Sequence, residues 1–283
     1  MRISTNTFHT IYENKIKNKM ENTKKRYKTI VISDTHIGSK WSKTKEVIDF
    51  LENNSCETLI LAGDIIDGWS LQRSANYWKQ NHTIFLKTLL DIQEKTKIIY
   101  IRGNHDDFLD KIVPLNFLNI IIRQDYIYET NGKRFFVLHG DVFDHITTTF
   151  GWLSKIGDIG YSILLRINKY YNLRRTQKGL PYYSISKEIK AKTKLSVNYI
   201  SNFEKHIAEV AQRNNCDGVI CGHIHHAEIK QYGNILYLNA GDWIESLSAL
   251  TEDFKGNWKV INYCEEAIED ENRIYEQILA SAI

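Results

Sequence analysis

Two rhythms of apolar and polar positions divide this chain. Short, β-branched runs at Thr29–Ser33, Thr58–Ala62 and Ile98–Ile101 read as buried strands. Between them lie helical stretches at Lys43–Asn53 and Tyr77–Lys95, the second with Ile84, Leu86, Leu89, Leu90 and Ile92 available for its apolar face, and a short helix is expected near Phe108–Ile112. This βαβαβ run argues for parallel strands joined by crossover helices. The style then changes. Tyr126–Glu129 and Arg134–Leu138 flank Asn131-Gly132, and Ala227–Tyr232 and Ile235–Leu238 flank Gly233-Asn234, two hairpin signals. Gly218–Cys221 and Trp258–Tyr263 read as further strands, and Glu265–Leu279 as a closing helix. Two sheets packed face to face with helices outside fit the pattern.

Residues 142–206 break the alternation. Trp152, Ile156, Ile159, Ile163 and Ile167 recur at three- and four-residue steps, giving one apolar stripe that Leu153, Leu164 and Leu165 widen. A Gly179-Leu180-Pro181 break follows, and Ser184–Arg213 is again helical in pattern. A helical insertion over about 142–200 is therefore expected. Residues 1–27 are polar and rich in Asn, Lys and Thr; they read as a disordered tail, with Met20 an alternative start, so that 28–283 forms the folded domain.

Composition narrows the picture without deciding it. A net charge of +3 is too small to mark a general nucleic-acid binder. Cys56, Cys216, Cys221 and Cys264 form no C-x-x-C pair, so reduced core thiols in a cytoplasmic protein are expected. No run reaches the ~18 apolar residues of a membrane span, and the N-terminus lacks the apolar stretch of a secretory signal.

The chemistry lies in five strings in fixed order: SDTHIGS (33–39), GDIIDG (63–68), GNHDD (103–107), HGD (139–141) and GHIHH (222–226). Each sets Asp, His or Asn in or beside a glycine turn, and four of them follow an apolar, β-branched run. Imidazole, carboxylate and amide oxygen suit borderline divalent ions. One such string is weak evidence; five in sequence are strong.

The order D-x-H, G-D-x-x-D, G-N-H-D, H-G-D, G-H-x-H resembles the calcineurin-like metallophosphoesterases over about residues 28–245. GDIIDGW, GNHDDFL, HGDVFD and GHIHHAEI look like a bacterial subgroup similar to UDP-2,3-diacylglucosamine diphosphatase. The resemblance implies a four-layer α/β/β/α sandwich, with the 142–200 insertion as a helical lid. It implies two divalent metal ions. One would be held by Asp34, His36, Asp64 and His225, and the other by Asp64, Asn104, His139 and His223, with Asp64 bridging. By the same analogy His105 is the general acid, and Asp106 or Asp67 would orient histidines of the site. Manganese suits the ligand types best, with iron, zinc, cobalt or magnesium as alternatives. Every expected ligand position is filled, which argues against a non-catalytic interaction module.

The insertion carries Arg166, Lys169, Arg174, Arg175 and Lys178 interleaved with tyrosines. It reads either as a solvated helix face or as a lid with a basic rim. In the second reading Arg166, Arg174, Arg175 and Lys178 grip a phosphorylated head group, and the basic amphipathic surface meets an anionic membrane. The resemblance then implies a step of lipid A biosynthesis: cleavage of the UDP-2,3-diacylglucosamine pyrophosphate to UMP and a lipid monophosphate at the cytoplasmic face of the inner membrane. One departure stands out. The best-defined diphosphatases of this kind have G-N-R-D and G-H-T-H-R-P where this chain has Gly103-Asn104-His105-Asp106 and Gly222-His223-Ile224-His225-His226-Ala227. A phosphodiesterase or phosphatase acting on a soluble nucleotide is the alternative.

Overall fold

The computed structural model describes residues 24–143, 166–175, 177–178, 180, 182–185 and 194–265. Its strands are β1 (Lys25–Ile32), β2 (Asn54–Ala62), β3 (Lys97–Ile101), β4 (Leu115–Phe117), β5 (Ile120–Arg123), β6 (Asp125–Thr130), β7 (Lys133–Leu138), β8 (Gly218–Cys221), β9 (Glu228–Tyr232), β10 (Ile235–Asn239), β11 (Ser248–Glu252) and β12 (Trp258–Asn262). The helices are α1 (Thr44–Asn53), α2 (Gly68–Arg73), α3 (Gln80–Ile92), α4 (166–175) and α5 (Lys194–Arg213).

Seven strands form one sheet in the order β12-β11-β1-β2-β3-β5-β4, and five form a second in the order β6-β7-β8-β10-β9. The run β1-β2-β3-β5 is parallel, as are β7-β8 and β8-β10. Three apolar clusters define four layers. Val47, Phe50, Phe85 and Leu89 of α1 and α3 pack on Ile30, Leu59 and Ile98 of the larger sheet. Val31, Ile60, Ile99, Val137, Ile220 and Leu238 fill the space between the sheets. Phe203, Ile207 and Ala211 of α5 cover Phe136, Val219 and Tyr237 on the outer face of the smaller sheet. This is the expected helix–sheet–sheet–helix sandwich.

Several boundaries differ from expectation. β1 begins at Lys25, where it pairs in parallel with β2 from Lys25↔Asn54 onward, so strand structure includes Lys25, Arg26 and Tyr27 of the stretch expected to be a tail. The long helix over 77–95 is a 3-10 turn at Ala75–Tyr77 followed by α3. Its core face is set by His82, Phe85, Thr88 and Leu89, whereas Ile84, Leu86 and Leu90 are exposed. The three- and four-residue steps from His82 select that face. The short helix expected near 108–112 is a 3-10 helix at Asn104–Leu109. Within 142–206, residues 166–175 and 194–206 are helical, while 177–178 form a turn and 182–184 are irregular; the stripe residues Trp152 to Leu165 lie outside the described residues, as do Asp144, His145 and residues 266–283. Among the described residues no helix is long and apolar enough to cross a membrane. All four cysteines are free thiols, with Cys216 and Cys221 buried.

Candidate metal centre

The five motifs meet at the carboxyl ends of β1, β2, β3, β7 and β8. Asp34 lies two residues past β1 and Asp64 two past β2, while His139 directly follows β7. Parallel pairing within each sheet aims these ends the same way, and the two sheets, packed face to face, bring them together. The loops extend the ladder beyond the strands. Asp34 N–H donates to Gly63 O, His36 N–H to Asp64 O and Ile37 N–H to Ile65 O, and Ile37 pairs with Ile66 as an isolated bridge.

Asp34, His36, Asp64, His223 and His225 all have φ between 44° and 70°. Left-handed backbone at a non-glycine residue costs free energy and persists only where the surroundings enforce it. Five such residues in one cluster turn their side chains back toward a common centre. Two glycines are there for space. A Cβ at Gly63 would lie 2.4 Å from His139 Nδ1, and one at Gly103 would lie 2.2 Å from Asp64 Oδ1. The glycine before each ligand lets a different ligand pack against it.

Asp34, His36 and His225 bring ligand atoms within 4.8 Å of one another, and so do Asp34, Asp64 and His139, and also His36, Asp64 and His105. Asp64 Oδ2 lies 3.8 Å from His36 Nε2 and 3.4 Å from His139 Nε2, between the two histidines. Asp34 Oδ1 is 3.2 Å from His225 Nε2. His223 sits beside His139 with ring centroids 5.0 Å apart, and its backbone N–H donates to Asp34 Oδ2.

The donor set fits divalent ions. Asp34 Oδ1, Asn104 Oδ1 and His139 Nε2 are buried and make no hydrogen bond. Stranding polar atoms this way is costly unless something else satisfies them. His139 Nδ1 lies 2.9 Å from Ala62 O; a carbonyl only accepts, so Nδ1 carries the proton and Nε2 keeps its lone pair for a ligand bond. Among the protein groups alone, burial opposes charging His139, but Asp64 and Asp34 outweigh it and raise its pKa to about 10. Burial likewise opposes ionising Asp34, yet His225 and His139 draw it down to about 2. Asp64 is lowered by His139 against the same burial, and burial itself lowers His36. Bound dications would take over the role these imidazolium charges play here.

His105 is oriented by Asp67, whose Oδ1 lies 3.0 Å from its Nδ1. Its backbone N–H donates to Asp64 Oδ1 at 2.8 Å, so its position is tied to that carboxylate. Burial works against its charged form, but the Asp67 bond and the Asp64 charge prevail and raise its pKa. A histidine that holds its proton near neutrality is suited to donate it. Asp106 serves the backbone instead. Fully buried, it accepts from the N–H groups of Ile65, Ile66 and Gly103 and from Tyr100 OH. It clamps the GDIIDG loop to the GNHDD loop, while burial and the Asp64 charge push its carboxyl up to about 7. Asp242 accepts from the N–H groups of Ile244, Glu245 and Ser246, and Trp243 N–H donates to Asp34 O, so this turn braces the first motif from behind. Asp141 binds Arg102 at 2.8 Å. His226 faces Glu228 at the rim.

Two contributors were not singled out by sequence pattern. Trp69 stacks on His105 with centroids 4.2 Å apart and donates Nε1–H to Asp107. Its place right after GDIIDG was the available signal. Asn239, fully buried, donates to Gly222 O and Tyr237 OH and accepts from Gly241 N–H, fixing the start of the GHIHH loop. Nothing in the sequence marked it. In the insertion, the guanidinium of Arg174 lies over Tyr170 and that of Arg175 over Tyr171 and Tyr183. Arg166 lines a cavity with Lys40, Trp41 and Lys169, while Lys178 lies in the turn after α4.

The sequence matches the model of the calcineurin-like phosphoesterase family over residues 27–227. No curated protein matches it. Similar solved structures include a novel archaeal phosphodiesterase, at 16% identity and a TM-score of 0.39, covering 83% of this chain and 98% of that one. Yfce, a phosphoesterase from E. coli, shares 15% identity at a TM-score of 0.40, with 83% and 98% covered. Zinc-complexed Vps29 from Entamoeba histolytica shares 12% at 0.40, over the same shares. The family match spans all five motif loops, and those loops build a site of the matching composition: the chain belongs to the calcineurin-like phosphoesterases and is a metal-dependent phosphoester hydrolase.

Proposed function

We propose that the substrate is the pyrophosphate of a nucleotide-linked lipid similar to UDP-2,3-diacylglucosamine, cleaved to UMP and a lipid monophosphate. The convergence of Asp34, His36, Asp64, His139 and His225, with His223 beside His139 and Asn104 Oδ1 buried without a hydrogen-bond partner, carries the hydrolase chemistry. Two divalent ions held by these residues, with Asp64 between them, would polarise the phosphoryl oxygens and lower the pKa of the attacking water. The chain's own contribution is positional. Asp67 and Trp69 fix the plane of His105 beside the cluster and leave its Nε2 to deliver a proton to the leaving oxygen. Buried Asp34 and Asp64 supply two carboxylates against two dications, leaving positive charge to stabilise phosphate.

The lipid half of the proposal is supported by GDIIDGW, HGDVFD and the basic, tyrosine-rich segment 166–185, which would rest peripherally on an anionic membrane at the cytoplasmic face. His105 in place of arginine favours a second reading, a phosphodiesterase or phosphatase on a soluble nucleotide. Metal-stripped protein in detergent, with and without manganese, tests both. Manganese-dependent UMP release from UDP-2,3-diacylglucosamine is expected. Cleavage of bis-p-nitrophenyl phosphate without UMP release would discard the lipid and keep the hydrolase; cleavage of neither would remove the proposal.

A further inference from the structure

A cavity of about 690 Å³ lies between residues 39–46, in the loop and helix start that follow the first motif, and Asn168, Lys169, Asn172 and Leu173 of α4. Its floor is continuous with the first motif: Ser39 N–H donates to His36 O, and Ser42 Oγ donates to Thr35 O. Its far wall includes Ile244 and Leu247, from the turn that braces Asp34. A second cavity of about 360 Å³ shares Lys40, Trp41, Lys169 and Leu173 with it and adds Arg166, so the two form one trough.

The charge on this trough is one-sided. Lys40, Lys43, Lys45, Lys79 and Lys169 line the larger cavity against a single carboxylate, Glu46, and Arg166 extends the series. Among the described residues none of these six cations forms an ion pair; the ion pairs of Arg102, Arg134, Arg213 and Lys230 lie elsewhere. Lys40 and Lys43 rest over the rings of Trp41 and Tyr182, at 5.0 and 5.3 Å from the centroids. Cations gathered around one concavity repel each other and focus a positive field into it. A bound anion relieves that repulsion. The wall is also part apolar, through Trp41, Leu173, Ile244 and Leu247, so it suits an anion carrying an organic group.

The charge selects among phosphates. A diester or internal pyrophosphate carries about one negative charge per phosphorus, whereas a monoester carries about −1.5 to −2 near pH 7. The structure therefore favours the more highly charged species, which is also the kind of product that hydrolysis releases. We propose that this trough, joined to the first motif through the 39–42 loop, is a phosphomonoester-binding site that holds a phosphorylated product through Lys40, Lys43, Lys169 and Arg166. The proposal deepens the pyrophosphate reading and rests on it for the identity of the product. Two sources share the chemistry, a nucleoside monophosphate and a lipid monophosphate.

Equilibrium binding to the metal-stripped full chain tests this, because chelation removes the competing phosphate site at the metals. The probes are UMP and a short-chain phosphatidic acid below its micelle concentration. Millimolar or tighter binding of either supports the site, and whichever binds more tightly names the source. The double variant Lys43→Gln/Lys169→Gln should weaken binding at least about tenfold, the equivalent of one charge-assisted contact, and Lys43→Arg/Lys169→Arg should restore it. Far-UV circular dichroism confirms that both variants are folded. Absence of binding by both probes, or equal affinity in wild type and the glutamine variant, would overturn the proposal. Manganese-dependent hydrolysis of bis-p-nitrophenyl phosphate by the wild type, measured on the same sample, reports separately on the hydrolase.

Discussion

Gly103→Ala isolates the tight packing of the centre from every other variable. Gly103 has φ −104° and ψ −178°, which alanine adopts without strain, so the variant adds only a methyl group. That methyl would sit 2.2 Å from Asp64 Oδ1 and 2.4 Å from Asp64 N, where ordinary contact begins near 3.4 Å, so one side must give way by about 1.2 Å. The backbone of Asp64 is pinned, since its carbonyl accepts from His36 N–H, and its Oδ1 accepts from His105 N–H. Moving the carboxylate alone leaves the contact with Asp64 N, so the GDIIDG and GNHDD loops must shift apart and carry the Asp64 carboxylate with them. Overpacking of this kind costs about 1–3 kcal/mol, against a total stability of about 5–15 kcal/mol, so the protein stays folded. A misplacement of about 1 Å at a reacting centre costs on the order of 10² in rate. The expected result is a folded protein whose manganese-dependent turnover of bis-p-nitrophenyl phosphate falls by about 10² or more, with weakened metal retention after dialysis. A variant with wild-type kcat and wild-type metal content would refute the packing argument.

Asp64→Ala should abolish turnover and lower the metal content measured by elemental analysis, because it removes the oxygen between His36 and His139. His105→Ala should keep its metal and lose roughly 10²–10⁴ in kcat, the usual worth of general acid–base catalysis; loss of metal instead would assign His105 to ligation. In metal-free protein the Asp67–His105 pair should stabilise the fold over a bounded pH window. Asp67 is lowered from 3.8 to about 2, because its bonds to His105 and Ser70 outweigh burial, so its contribution is present above 3.8 and is lost as pH falls toward 2. His105 is raised from 6.5, so its contribution is present below 6.5 and is lost as pH climbs through its higher folded value. The stability gap between wild type and Asp67→Asn, read from urea midpoints, should be widest between those limits, and a gap independent of pH would contradict the coupling.

Family, the order of the strands that end in motif loops, and the gathering of Asp34, His36, Asp64, His139 and His225 were legible in the linear chain. Asp, His and Asn beside glycine after β-branched runs are local signals, and they survive any detail of packing. The lone aspartates were legible in kind and open in role: Asp67 reaches His105, whereas Asp106 turns to three backbone N–H groups and Tyr100. That choice depends on how two loops from different strands face each other. β11 was invisible because Ser248–Glu252 has neither alternation nor a β-branched run; it is a strand because β1 and β12 offer ladders on both sides. The exposure of Ile84 and Leu90 was hidden for the same reason, since periodicity fixes a set of possible faces and the neighbouring sheet selects one. Positive φ at five metal-facing residues, the closeness of Gly103 to Asp64, and the gathering of Lys40, Lys43, Lys79 and Lys169 around one cavity join residues far apart in the chain. Those are distances in space, and they are set by the packing of the two sheets and the loops on their ends.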